Sequence, residues 1–155
     1  MRSCLLTAHT DAHSKKIMRD KNIRILILDD QESVRTTIGM ILQHLGYETH
    51  LVAAREDAID SYRQAKRLKD PFDIVILDLY TPDGMGGKEV FEELRAMDPE
   101  VYAIVSSGYV NDPLITDYES YGFKAALVKP YRIEDLTYIL EQASTNKQST
   151  LSHRS

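Results

Sequence analysis

The 155-residue chain contains no tryptophan and only one cysteine, Cys4. A single thiol cannot form an intramolecular disulfide, which fits a reducing compartment. No apolar run approaches the roughly 20 residues of a membrane-spanning helix. Basic residues are not in excess, since 19 Lys and Arg stand against 24 Asp and Glu and give a net charge of -5. We therefore expect a cytoplasmic protein that binds neither membranes nor nucleic acid.

The length corresponds to one domain with short extensions, and 43% apolar residues can supply its core. Residues 1–21 lack hydrophobic periodicity and predict a flexible leader or linker. Their histidines, His9 and His13, are expected to be solvated rather than metal ligands. Residues 144–155 are polar and predict a frayed tail. The folded domain is therefore predicted to span residues 22–143.

Strand and helix patterns alternate within that domain. Arg24–Asp29 and Ile74–Asp78 are short runs that are apolar on both faces, which is typical of central strands in a parallel sheet. A weaker strand pattern lies at 48–52, and two further strands are predicted at 102–106 and 125–128. Helical periodicity separates the five strands and includes a short helix predicted over 111–121. The pattern predicts an α/β protein, a flavodoxin-like (βα)5 three-layer sandwich with a parallel sheet of order 2-1-3-4-5.

The carboxyl ends of the predicted strands carry most of the reactive side chains. In a sheet of this kind those ends form the functional edge. The residues placed there are Asp29, Asp30, Asp78, Ser106, Ser107 and Lys129. Neighbouring carboxylates repel one another unless a hard cation such as Mg²⁺ intervenes. A lysine and a serine hydroxyl can stabilise the oxygens of a transferring phosphoryl group, so the set predicts Mg²⁺-dependent phosphoryl transfer.

Each of these residues also has a purely structural interpretation. Asp29 and Asp30 could cap the following helix, since Asp is a favoured N-cap. Asp78 could be a turn residue, and Ser107 precedes a glycine in a common turn pair. The functional interpretation is favoured because the residues occur together, at successive strand ends and in a consistent order.

The same order resembles the receiver domains of two-component signalling. The matching pattern is Asp-Asp, a later Asp, a Ser followed by a small residue, and Lys-Pro, and it covers residues 22–143. Three segments resemble in particular the receiver domains of hybrid sensor histidine kinases. They are Asp78–Glu89, Val105–Tyr109 and Val128–Tyr131.

The resemblance implies a role for each matching residue. Asp78 would accept a phosphoryl group from a phosphohistidine on a histidine kinase or a histidine phosphotransfer protein. Lys129 and Ser107 would bind the transferred group, and the Lys129–Pro130 peptide would be cis. Mg²⁺, for which Mn²⁺ could substitute, would be held by Asp29, Asp30, Asp78 and the backbone carbonyl of Tyr80. The activity would be a self-catalysed phosphorylation and dephosphorylation rather than that of a conventional enzyme.

The chain departs from the receiver pattern at Ala126, where many receivers carry Tyr or Phe. Movement of the loop 107–112 and of the following helix is therefore predicted to carry the signal. Tyr80 and Tyr109 flank the phosphoacceptor in the sequence, and we hypothesise that their rings limit water access to it. Region 109–138 contains five of the nine tyrosines and is a candidate surface for a homodimer or an effector.

Three alternatives remain open. A haloacid-dehalogenase-type phosphatase would need a second Asp at the position of Tyr80. A flavodoxin-like cofactor module would need a Gly-rich phosphate loop, but residues 29–32 are Asp-Asp-Gln-Glu. A degenerate receiver would bind partners without phosphorylation. Within the receiver interpretation, the chain could be a stand-alone regulator, a relay shuttle or part of a longer hybrid kinase.

Overall fold

The computed structural model describes residues 22–84 and 86–152 of the chain, with side chains up to residue 146. The predicted leader, with His9 and His13, lies outside these residues, and the domain boundaries remain predictions. Strands and helices alternate along the described chain. They are β1 (Arg24–Leu28), α1 (Glu32–His44), β2 (Glu48–Val52), α2 (Arg55–Arg67), β3 (Ile74–Asp78), α3 (Gly86–Met97), β4 (Ala103–Ser107), α4 (Pro113–Thr116), a 3₁₀ turn (Tyr118–Tyr121), β5 (Ala125–Val128) and α5 (Ile133–Ser152).

The five strands form one parallel sheet of order β2-β1-β3-β4-β5, which confirms the predicted flavodoxin-like topology. The register sets β3 between β1 and β4, with Leu28 opposite Leu77 and Asp78 opposite Ser106. β3 is buried along its whole length. The carboxyl ends of β1, β3 and β4 therefore lie side by side at one edge of the sheet.

Hydrophobic clusters cover both faces of the sheet. Successive residues of β1 alternate between them, because side chains in a strand point to opposite faces. Leu26 and Leu28 join a cluster with α2, α3 and α4, whereas Ile25 and Ile27 join one with α1 and α5. Full burial of one such side chain contributes roughly 1.5–3 kcal/mol. The result is the predicted three-layer arrangement, and none of the described helices is long and apolar enough to cross a membrane.

Neither Asp29 nor Asp30 is the N-cap of the first helix. The N-cap of α1 is Gln31, and its side chain makes no capping hydrogen bond. The Asp29 carboxylate instead accepts from the backbone N–H of Gln31 at 2.9 Å. The structural interpretation of the acidic pair as a helix cap is therefore wrong.

The single helix predicted over 111–121 is also wrong, because the segment is divided. Asp112 caps α4, and Pro113 occupies its first turn. The chain leaves helical geometry at Asp117, which has φ −126° and ψ 39°, and continues as the 3₁₀ turn. Gly122 ends that turn in the left-handed conformation, at φ 98°, which glycine adopts without strain.

The last helix extends beyond the predicted start of a polar tail at residue 144. Ala143 is fully buried against the sheet, and α5 continues to Ser152. The hydroxyls of Ser144 and Thr145 donate to the carbonyls of Leu140 and Glu141, so these polar side chains are accommodated on the helix itself.

Candidate functional site

Three carboxylates converge where β1 and β3 end. Asp78 is the last residue of β3, and Asp29 and Asp30 directly follow β1. One oxygen from each carboxylate lies within 4.8 Å of the others. Asp29 and Asp78 retain only 1% and 6% of their exposure, and Asp30 is half-buried. The structure therefore brings together the three acidic residues that the sequence predicted at this edge.

The side chain of Lys129 reaches the same cluster from the carboxyl end of β5, an outermost strand of the sheet. Its ammonium lies 2.7 Å from Asp29 Oδ2 and 3.2 Å from Asp78 Oδ1. The residue follows β5, its backbone N–H donates to the Ser107 carbonyl at 2.9 Å, and the Lys129–Pro130 peptide is cis, as the resemblance implied. Lys129 thus pairs with two of the three carboxylates.

Burial and charge shift the proton affinities of this cluster. Burial raises the pKa of Asp78 to about 6, and the neighbouring charges of Asp29 and Asp30 add to the rise, although Lys129 opposes it. For Lys129, burial acts to lower the pKa. The hydrogen bond to Asp29 and the nearby negative charges outweigh burial and raise the pKa above its ordinary value. The ammonium therefore stays charged, while Asp78 is less acidic than an exposed carboxyl.

The donor set fits a hard divalent cation. Asp29 Oδ2 is buried and forms an ion pair with Lys129. Within the described part of the chain, no other group donates a hydrogen bond to this oxygen. Mg²⁺ takes oxygen ligands and usually binds through one or two carboxylates plus water. Tyr80 follows the strand in the next loop, and the direction of its backbone carbonyl stays a prediction.

Ser107 ends β4 beside the cluster and is 1% exposed. Its Oγ accepts a hydrogen bond from the backbone N–H of Tyr109 at 3.0 Å, which leaves the hydroxyl proton free to be donated elsewhere. The preceding Ser106 bonds instead to the hydroxyl of Tyr131. Burial raises the pKa of Tyr131 to about 12, so this tyrosine is neutral. The role of Ser107 in binding a phosphoryl group stays a prediction.

Arg35 is a residue of the site that the sequence reasoning missed. Its guanidinium, on the first turns of α1, donates to the carbonyl of Asp29 at 2.8 Å and to that of Asp30 at 3.1 Å. Both bonds fix the backbone that presents the acidic pair. A basic residue five positions after two consecutive acids was the available signal, but the sequence does not say that it would bind their carbonyls.

Two tyrosines and an aspartate border the site on the side of β4. The rings of Tyr80 and Tyr109 meet edge to face, with centroids 5.4 Å apart and an interplanar angle of 86°. The hydroxyl of Tyr80 donates to the Asp112 carboxylate, and this hydrogen bond raises the pKa of Tyr80. The sequence predicted the two rings but not the contact with Asp112.

The model of the response regulator receiver domain family matches residues 25–141. The chain belongs to this family. Chemotaxis protein CheY of Listeria monocytogenes is 30% identical over 122 residues, and the match covers 79% of this chain and 98% of CheY. Sporulation initiation phosphotransferase F of Bacillus subtilis is 28% identical over 115 residues, with 74% and 88% covered.

A longer protein and several solved structures match as well. The sensory/regulatory protein RpfC of Xanthomonas campestris is 29% identical over 116 residues, which cover 72% of this chain but only 15% of RpfC. Among solved structures, a receiver domain from Methylobacillus flagellatus superposes with a TM-score of 0.66 at 28% identity and covers 79% of this chain and 99% of its own. The CheX–CheY–BeF3–Mg complex of Borrelia burgdorferi shares the fold, with a TM-score of 0.68, 23% identity, and 77% and 87% covered.

Proposed function

We propose that this receiver domain accepts a phosphoryl group on Asp78 in a Mg²⁺-dependent reaction within a His-Asp phosphorelay. One observation carries the proposal. The carboxylate of Asp78 lies 3.2 Å from the Lys129 ammonium. Two further carboxylates lie beside it, at the same end of the parallel strands. Phosphoryl transfer depends mainly on positioning and charge neutralisation, and this arrangement supplies both.

In the proposed step, an ionised oxygen of Asp78 attacks the phosphorus of a phosphohistidine. The new P–O bond forms as the P–N bond breaks, and its electron pair returns to the imidazole, which takes up a proton from solvent. With a pKa of about 6, Asp78 is mostly ionised at neutral pH. When bound, Mg²⁺ would offset the charge of the carboxylates and phosphoryl oxygens. Its ligands would be Asp29, Asp30, Asp78 and the Tyr80 carbonyl.

Lys129 and Ser107 would stabilise the transferred group. The ammonium of Lys129 already lies between Asp29 and Asp78, so it can pair with a phosphoryl oxygen after a small movement. Ser107 accepts from Tyr109 and can still donate its own proton to a second phosphoryl oxygen. Preorganised donors of this kind lower the barrier because they need little rearrangement during the reaction.

The donor in this proposal is a histidine kinase or a histidine phosphotransfer protein, and the setting is cytoplasmic. The similarity to sporulation initiation phosphotransferase F and to part of RpfC supports a place in such a relay, either as a single-domain protein or within a longer one. Region 109–138 is the proposed surface for an effector or a second copy. Nothing observed favours Mn²⁺ over Mg²⁺.

Intact-mass measurement tests the proposal. After incubation with acetyl phosphate, the chain should gain one phosphoryl group, roughly 80 Da, only when Mg²⁺ is present. Asp78→Asn should gain none, whereas Asp83→Asn, an exposed aspartate in the next loop, should behave like the wild type.

The alternatives predict different outcomes of the same experiment. No gain from acetyl phosphate or from a phosphorylated histidine kinase would contradict the proposal and favour a degenerate receiver. Sustained hydrolysis of a phosphate monoester would instead favour an aspartyl phosphatase, although Tyr80 is not a general acid suited to neutral pH.

A further inference from the structure

The carboxylate of Asp112 is shared by two segments of the chain. Its Oδ1 accepts from the backbone N–H of Leu114 at 2.9 Å and so caps α4. Its Oδ2 accepts from the hydroxyl of Tyr80, which lies two residues after Asp78. One side chain therefore connects the loop that follows the phosphoacceptor to the first turn of α4.

The attachment of α4 depends strongly on Asp112. The helix has only four residues, so it has few hydrogen bonds of its own. The backbone carbonyl of Asp112 accepts from the N–H groups of Ile115 and Thr116, each at 2.9 Å. Leu114 and Ile115 are 3% and 7% exposed and pack in the core. A shift of Asp112 would loosen the helix as a whole.

Contacts through Tyr109 link the same aspartate to Ser107. The backbone N–H of Tyr109 donates to Ser107 Oγ at 3.0 Å, and its carbonyl accepts from the N–H of Asp112 at 3.2 Å. Its ring meets the ring of Tyr80 edge to face. A change in the hydrogen bonding of Ser107 would therefore reach both partners of the Tyr80–Asp112 hydrogen bond.

We propose that the Tyr80–Asp112 hydrogen bond is a latch that holds α4 on the sheet and opens when Asp78 is phosphorylated. The trigger rests on the proposed function, because the phosphoryl group would bring nearly two negative charges to this edge. Ser107 would move toward the new oxygens as it donates to them, and it would draw with it the Tyr109 N–H that is bonded to its Oγ, which displaces both tyrosine rings. Ala126 provides no ring on β5 to carry the change, so α4 is the route by which it reaches the surface.

Hydrogen exchange of the amides of residues 114–116 tests the latch in the unphosphorylated protein. Tyr80→Phe and Asp112→Ser should each raise the exchange rate about fivefold, the effect of losing one hydrogen bond. Ser is as good an N-cap as Asp, and its single hydroxyl cannot both cap Leu114 and reach Tyr80, so Asp112→Ser removes the latch and keeps the cap. Because both changes remove the same bond, the double variant should exchange no faster than either single variant.

Tyr138→Phe, on an exposed tyrosine of α5, is the matched control and should leave the exchange at 114–116 unchanged. Wild-type exchange in Tyr80→Phe and Asp112→Ser would overturn the latch. Fully additive effects in the double variant would also overturn it, because they would show that the two side chains act separately.

The phosphorylated protein tests the trigger. Phosphorylation should raise wild-type exchange at 114–116 to the level of unphosphorylated Asp112→Ser. That variant should take up the phosphoryl group normally, yet its exchange should rise little further. A full rise in exchange on phosphorylation of Asp112→Ser would overturn the trigger. A wild-type chain that takes up no phosphoryl group would contradict the proposed function. In that case, faster exchange in the unphosphorylated variants would still establish that the hydrogen bond holds α4.

Discussion

Gly87 lies directly against the backbone of Asp78. A Cβ built on Gly87 would lie 2.2 Å from the carbonyl oxygen of Asp78 and 2.8 Å from its carbonyl carbon. The N–H of Gly87 also donates to the Leu79 carbonyl at 3.3 Å. The first turn of α3 therefore packs on the end of β3, and any side chain at this position would displace the phosphoacceptor.

Gly87→Ala should lower the free energy of unfolding by about 1–3 kcal/mol, because backbone atoms cannot move aside as a flexible side chain can. It should also reduce phosphorylation of Asp78. Urea denaturation measures the first effect and intact mass the second. Gly39→Ala is the matched control, since its Cβ would meet only the tip of Leu51. A helical glycine of that kind should tolerate alanine or gain stability, and equal effects of the two substitutions would contradict the packing argument.

Asp78→Asn should stabilise the metal-free protein at pH 8. The pKa of Asp78 rises from about 3.9 in the unfolded chain to about 6 in the fold. The folded state therefore binds this proton more tightly than the unfolded chain does. The resulting stabilisation is fully present below pH 4 and is lost as the pH rises through 6. At pH 8 the free energy of unfolding is then about 2–3 kcal/mol lower than it would be with a protonated carboxyl. Urea denaturation without Mg²⁺ should show the gain at pH 8 and little gain at pH 4; a gain that does not depend on pH would contradict the assignment.

Arg35→Ala should weaken Mg²⁺ binding about tenfold or more, as expected when an interaction that orients metal ligands is lost. The guanidinium holds the carbonyls of Asp29 and Asp30, and without it their carboxylates would be less well fixed. Titration calorimetry with Mg²⁺ measures the affinity. Arg63→Ala, on the exposed surface of α2, is the control. Unchanged affinity in Arg35→Ala would show that these bonds serve the fold alone.

Tyr109→Ala should shorten the lifetime of phosphorylated Asp78 severalfold, because its ring, with that of Tyr80, is expected to limit the access of water to the acyl phosphate. The ring is 68% exposed, so its removal should cost little stability. The decay of the phosphorylated mass with time measures the lifetime. Tyr138→Ala removes an equally exposed ring away from this pair, and a matching lifetime in the two variants would rule out the shielding role.

The sheet and the acidic cluster could be predicted because both follow from local patterns. Apolar runs that end in acids mark parallel strands, and the topology then fixes which strand ends are neighbours. That argument was enough to place Asp29, Asp78 and Lys129 at the same end of the sheet. Their distances and protonation did not follow from it, because these depend on burial by the surrounding helices.

Other features depended on contacts that no spacing reveals. The division of the 111–121 segment arises from the cap at Asp112 and the break at Asp117, and both compete with a helical pattern in the sequence. The extension of α5 past residue 144 depends on packing of Ala143 against the sheet. The hydrogen bond between Tyr80 and Asp112 joins residues that are 32 positions apart.

Trapping the phosphorylated residue chemically tests the central claim most directly. The chain would be phosphorylated with acetyl phosphate and Mg²⁺ and then treated with borohydride, which reduces an acyl phosphate to an alcohol and so converts the aspartate to homoserine. Peptide mass spectrometry should place homoserine at residue 78 and at none of the other acidic positions. Homoserine at Asp30 or Asp83, or none in a chain that has gained a phosphoryl group, would contradict the assignment of Asp78 as the phosphoacceptor.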